Sequence, residues 1–381
     1  MNRSWAWLAG VALILAAGAC GNDTEGRTPG EMAQASGARG DVVTLVGAGA
    51  TFPFPLYSRW FNAYGQQNPV RINYQSLGSG AGIRQFSEGT VDFGASDAPM
   101  SDEDLARVPG AMNLPMVLGS VAITYNLPTV TQPLRLDGQT IADIFSGSLQ
   151  RWNDPRIARL NPGVTLPDRA ILPVHRSDGS GTTYVFTDYL STISPQWRER
   201  VGTGTAVRWP TGLGGKGNEG VTGQVRQTEG AVGYVEQVFA RQNNLPMAHV
   251  RNQSGNFVEP AVDATTAAAQ GIEDRVEQQG DFRVSIVDAP GAAAYPISSW
   301  TYLLVQPHME SCEKARALTG VVEWSLREGD RHARDLHYAP LPDAVKENVI
   351  ARMRTVTCGV DRQAVGTERA RAPEEAAAGA G

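Results

Sequence analysis

Between about residues 42 and 361 the chain alternates short apolar runs with stretches of helical period. Residues 42–46 read as a buried strand, and residues 57–64 as an amphipathic helix whose aromatic positions suit a core stripe better than a ligand platform. A second strand is predicted at 91–95, followed by Ser101 and Asp104 in a capping box that opens the next helix. Residues 117–125 form a longer apolar strand, and shorter ones follow at 171–174, 231–235 and 302–305. Strands alternating with helices predict an α/β fold with mainly parallel sheets. At 381 residues the chain is too long for one compact core and suits two α/β lobes. No internal repeat is visible.

The ends break this pattern. Arg3 precedes an apolar stretch at 5–17 that is too short to span a bilayer, and Ala17-Gly18-Ala19 then fits a small-residue cleavage site. We read 1–19 as a signal peptide and the protein as exported. Cys20 follows the cleavage site directly, which fits a lipoprotein signal with lipid on the new N-terminal cysteine. Ala17 stands where such signals usually carry Leu, and an ordinary signal peptidase would leave Cys20 as a free thiol. Residues 20–40, rich in small and polar types, read as a solvated linker, and 362–381 as a disordered tail.

Composition narrows the function. A net charge of −6 argues against nucleic acid as a partner, so any anion site must rest on local dipoles. Export makes Cys312 and Cys358 a candidate disulfide, with two buried free thiols as the alternative. The five histidines are scattered without metal-ligand spacing, so no metal and no cofactor are expected.

The informative residues lie in glycine-rich loops that follow a strand and precede a helix, where ligands sit in open α/β sheets. The first is Gly47-Ala48-Gly49-Ala50-Thr51-Phe52-Pro53, in which Thr51 offers a hydroxyl and an N–H, and Phe52 a second N–H. The second, Leu77-Gly78-Ser79-Gly80-Ala81-Gly82, carries Ser79. The third, Arg176-Ser177-Asp178-Gly179-Ser180-Gly181-Thr182-Thr183, adds an arginine. Each presents N–H groups at a helix N-terminus, where the macrodipole favours an anion. One such loop is more often an ordinary N-cap; together with Arg176 the three point to a small oxyanion. Asp97, after the strand at 91–95, accepts hydrogen bonds only. It would repel sulfate but could take the proton that phosphate keeps near neutral pH.

The first loop and Asp178-Gly179-Ser180-Gly181-Thr182 of the third, with Val91-Asp92-Phe93-Gly94-Ala95-Ser96-Asp97-Ala98-Pro99, Val201-Gly202-Thr203-Gly204, Gly212-Leu213-Gly214-Gly215-Lys216-Gly217-Asn218 and Gly230-Ala231-Val232-Gly233-Tyr234-Val235-Glu236, closely resemble the phosphate-binding proteins of Pst-type ATP-binding-cassette importers. The resemblance spans residues 43 to about 357. It implies a two-lobed periplasmic-binding-protein fold of type II, whose lobes are joined by a hinge and close over phosphate in the cleft between them. Lobe I would comprise 41–116 plus 296–361, and lobe II 117–295. By position, the resemblance implies that Thr51, Phe52, Ser79, Asp97, Arg176, Ser180, Gly181 and Thr182 bind phosphate, with Asp178 holding the arginine. His175 stands where the family often has a basic residue. The family implies a non-enzymatic monomer in the periplasm or cell envelope that serves membrane permease subunits and their ATPase.

Gly212–Gly217 also fits a dinucleotide-binding expression, but it lacks the opening strand–helix context, and Lys216 is followed by Gly217, which excludes a P-loop. We assign that loop a structural place near the cleft rim. Two competing functions stand beside phosphate capture. One is binding of another tetrahedral oxyanion such as sulfate. The other is a secreted phosphatase, which needs an activating base or metal cluster that the sequence does not display.

Overall fold

The computed structural model describes residues 42–272 and 282–366; the expected leader, Cys20 with its linker, and residues 367–381 of the expected tail lie outside the described residues. Eight strands form the main sheet: β1 (Val43–Gly49), β2 (Val70–Ser76), β3 (Phe93–Ser96), β4 (Met112–Tyr125), β5 (Leu172–Arg176), β6 (Leu213–Gly215), β7 (Ala231–Glu236) and β8 (Ser298–Val305). Their spatial order is β2-β1-β3-β8-β4-β7-β5-β6.

The sheet has two halves built alike. In one, β1 lies between β2 and β3, all parallel, and β8 runs antiparallel to β3. In the other, β5 lies between β6 and β7, all parallel, and β4 runs antiparallel to β7. The repeat that the sequence hides is therefore one of topology. Strand β4 belongs to both halves: Met112–Ser120 pairs with β8, and Val121–Tyr125 with β7. All but the first of its residues are buried, as its nearly continuous apolar run requires.

The strand starts five residues earlier than the apolar run at 117–125 predicts, because Pro115 disguises it. Proline cannot donate to a ladder and is tolerated in a sheet at bulges. The register between β4 and β8 shifts at Thr301/Tyr302, beside Pro115, so the bulge absorbs the missing donor.

Helix α1 (Phe54–Gln67) opens with prolines at 53 and 55, in the first turn where no N–H partner is needed. It buries Leu56, Tyr57, Trp60, Phe61 and Tyr64, so the aromatic stripe is core. Trp60 also donates its indole N–H to the Gly329 carbonyl at 3.0 Å. The predicted capping box is present, with Ser101 and Asp104 each bonded to the other's backbone N–H.

Helix α2 (Ser79–Ser87) follows β2, α3 (Gly181–Ile193) follows β5, and α4 (Gly217–Gln227) follows β6. A later helix, α5 (Cys312–Arg327), packs on the first half-sheet. Its first residue, Cys312, is disulfide-bonded to Cys358, with Cα atoms 4.9 Å apart. The tail expected from residue 362 begins instead as a short strand, Gln363–Ala364, paired with Thr357–Cys358. Among the described residues no helix is long and apolar enough to cross a membrane.

Candidate functional site

The loops that leave β1, β2, β3 and β5 meet where the two half-sheets face each other. In the first loop Phe52 is fully buried and its carbonyl accepts the Tyr338 hydroxyl at 2.6 Å, which leaves its N–H as its contribution to a site. Thr51 is buried beside it, its hydroxyl oxygen 2.8 Å from the Asn218 side-chain amide.

The second loop turns into α2 at Gly78, whose φ of 100° favours a residue without a side chain. Ser79 then starts the helix, accepts the Asp97 N–H at 3.2 Å and faces the Asp97 carboxylate at 3.4 Å. Asp97 is 2% exposed, and its other oxygen accepts the Thr301 hydroxyl at 2.9 Å. Burial raises its pKa to about 7, against the opposing pull of the Thr301 bond, the Arg176 charge and Ser79.

In the third loop β5 ends at Arg176, and Ser180 caps α3 by accepting the Thr183 N–H at 3.0 Å. The Ser180 N–H is used by the Thr205 carbonyl, so its hydroxyl proton is what it can offer a ligand. The buried Arg176 guanidinium forks onto Asp178 through Nε at 2.9 Å and Nη2 at 2.5 Å, while Nη1 lies 3.3 Å from the Thr182 hydroxyl. Asp178 also accepts the Gly217 N–H at 3.0 Å, from the N-terminus of α4. Burial works to raise the Asp178 carboxyl, but the Arg176 bonds and charge and the Gly217 N–H together hold it below its ordinary value.

Direct contacts join the two sides. The Gly80 N–H donates to the Gly179 carbonyl at 2.9 Å. Gly181 is pressed against the opposite wall so closely that a Cβ on it would lie 2.5 Å from the Ser79 hydroxyl and 2.6 Å from Asp97. All the residues that the sequence singles out for the anion, with Asp178, thus fall in one buried cluster.

Three residues that sequence reasoning did not single out belong to the same cluster. Asn218, from the loop assigned to the cleft rim, lies instead at its centre and touches both Thr51 and Thr182. Thr301 arrives from β8, and its role needs the antiparallel pairing with β3. Glu236, at the end of β7, is fully buried; one carboxyl oxygen accepts the Val238 N–H at 2.7 Å and the other has no hydrogen-bond partner among the described residues. Burial pushes its pKa well above the ordinary value. Asn218 did carry a signal, as the last residue of a quoted motif. Glu236 likewise ends a quoted motif, whereas Thr301 is a polar residue at a strand position with no local mark of function.

Chemically the cluster is donor-rich, with helix first-turn N–H groups, hydroxyls and one forked arginine surrounding the Asp97 acceptor. The His175 imidazole, next to Arg176 in sequence, stacks on Trp209 with centroids 4.7 Å apart, and its Nδ1 lies 3.0 Å from the Arg176 carbonyl. Among the described residues no group of three His, Cys, Asp or Glu side chains is placed to hold a metal ion. The geometry suits holding an oxyanion.

Comparison with known proteins agrees with this architecture. A family model described as the PBP superfamily domain matches residues 32–328. The phosphate-binding protein PstS of Pasteurella multocida is 42% identical over 313 residues, covering 82% of this chain and 90% of that one. PstS of Xylella fastidiosa is 41% identical over 310 residues, covering 81% and 84%. Among solved structures, a high-affinity periplasmic phosphate-binding protein bound with phosphate aligns with a TM-score of 0.64 at 22% identity, over 81% of this chain and 93% of that one. The phosphate-binding protein of Stenotrophomonas maltophilia gives the same values, a TM-score of 0.64 at 22% identity over 81% and 93%, and both show likeness of fold. The two half-sheets are thus the two lobes of the type II periplasmic-binding-protein fold, and the chain belongs to the PBP superfamily and, within it, to the family of PstS phosphate-binding proteins.

Proposed function

We propose that the protein binds inorganic phosphate between its two lobes and delivers it to the permease subunits of an ABC-type import complex. Thr51, Phe52, Ser79, Ser180, Gly181 and Thr182 supply N–H and hydroxyl donors, Arg176 supplies charge, and Asp97 reads the ligand's proton. The observation that carries this reading is Asp97, a buried acceptor set among donors and separated from Gly181 by van der Waals distance. A protonated phosphate satisfies that acceptor. A fully ionised sulfate leaves two acceptors facing each other, at a cost of about 1–3 kcal/mol or more. PstS relatives and the disposition of the hydroxyls both favour binding over catalysis.

Titration calorimetry of residues 42–361 at pH 8 tests the reading. Phosphate is expected to bind tightly and sulfate weakly; equal or tighter sulfate binding overturns the assignment. Phosphomonoester turnover that is lost in Ser180→Ala would favour the phosphatase instead. Lipid on Cys20 would keep the protein at the membrane that houses its transporter. Mass spectrometry of the N-terminal peptide from the native envelope checks it: an acylated cysteine is expected, and an unmodified thiol removes the anchor.

A further inference from the structure

Asn218 is fully buried at the second residue of α4, and each of its side-chain hydrogen-bonding groups has a partner. Its Oδ1 accepts the Glu236 backbone N–H at 2.9 Å. A backbone N–H can only donate, so that bond fixes which way round the amide sits. Nδ2 must then face the two hydroxyls, Thr51 Oγ1 at 2.8 Å and Thr182 Oγ1 at 3.2 Å.

Each hydroxyl also meets a second obligate donor. Thr51 Oγ1 lies 3.3 Å from the Asn218 backbone N–H, and Thr182 Oγ1 lies 3.3 Å from Arg176 Nη1. A threonine hydroxyl has one proton and two acceptor positions. With both acceptor positions filled, its proton must point to something else. Threonines deeper inside helices spend that proton on the carbonyl four residues back, as Thr187 does on Thr183 and Thr222 on Asn218. Neither Thr51 nor Thr182 makes such a bond among the described residues.

We propose that Asn218 is a positioning residue for anion binding. Through Thr51 on one lobe and Thr182 on the other, it makes both hydroxyls donors toward the ligand. The direction of every bond in the chain follows from the Glu236 N–H: backbone donor to amide oxygen, amide nitrogen to hydroxyl oxygen, hydroxyl proton to anion. Because one amide spans both lobes, the same contact forms when the lobes close. This inference rests on the phosphate reading above.

The test is a mutant cycle read by calorimetry with inorganic phosphate, with thermal melting as a check on folding. Asn218→Ala is expected to weaken phosphate binding about tenfold to a hundredfold, since two charge-assisted bonds lose their preset direction. In a Thr51→Val/Thr182→Val background the same substitution is expected to change affinity by less than about threefold, because the hydroxyls it acts through are gone. Should Asn218→Ala fail to fold, Asn218→Ser keeps a hydroxyl for the Glu236 N–H while removing both amide donors, and the same cycle applies. Wild-type affinity in the single variant, or an equal loss in both backgrounds, overturns the proposal. Absence of phosphate binding by the wild type would overturn the functional reading, and the inference with it.

Discussion

Asp97 sits where its charge is expensive. Its ordinary value is 3.8, and burial lifts it to about 7 in the folded chain. Between about pH 4 and 7 the unfolded chain therefore releases a proton that the folded chain keeps. The stability contributed by this group is complete below pH 4 and is lost as pH rises through 7. Asp97→Asn should accordingly melt several degrees higher than wild type at pH 8 without ligand, and show no such gain at pH 4; calorimetric scans at the two pH values check this. The same titration shapes selectivity. Below pH 7 a protonated Asp97 can itself donate to sulfate, so sulfate affinity should plateau there and fall about tenfold per pH unit above it. Asp97→Asn should bind sulfate better at pH 8 and with no such slope. A wild-type sulfate affinity independent of pH between 6 and 9 would remove the carboxylate from the proton-reading role.

At the scale of elements, the site is made by helix N-termini brought close rather than by any one loop. Helices α2 and α3 approach from opposite lobes until Gly80 bonds Gly179 and Gly181 touches Ser79 and Asp97. Gly181→Ala places a methyl group inside van der Waals distance of that wall. The lobes must then stand apart by a fraction of an ångström, and phosphate affinity should fall about tenfold to a hundredfold while the melting temperature changes little. Calorimetry and melting of the same sample separate the two effects. The N-terminus of α4 has another task, since its Gly217 N–H steadies Asp178 and its Asn218 reaches both lobes. That loop therefore lies within the cluster and not at the cleft rim. Glycine-rich spacing shows that a backbone must turn or approach closely, but not what it approaches.

Across the whole molecule, β4 is the shared spine, paired to one lobe along its first part and to the other along its last. The Cys312–Cys358 disulfide closes a loop of sequence separation 46 and ties down the start of α5, which packs on the first half-sheet. Its removal by paired Cys→Ala substitution should cost about 4 kcal/mol of stability, most of it through the unfolded chain. Denaturant unfolding measures that loss, and phosphate affinity should stay within about threefold of wild type.

Much of this was legible in residue order, because it is written in local chemistry. Alternating apolar strands and helices, caps such as Ser101 with Asp104, and glycine loops ahead of helices each depend on neighbours within a few positions. The strand register, the bulge that hides Pro115 inside β4, and the repeated topology of the two halves depend on pairing across long separations and could not be read that way. The same division runs through the site. Residue order by itself picked out Thr51, Ser79, Arg176 and Thr182 as candidate donors, and Asp97 as the odd acceptor among them. Only the tertiary structure decided that Thr301 and Ser79 flank Asp97 and that Asn218 orients two hydroxyls from opposite lobes. A hydrogen bond's direction is set by every partner at once, and those partners are gathered by the fold.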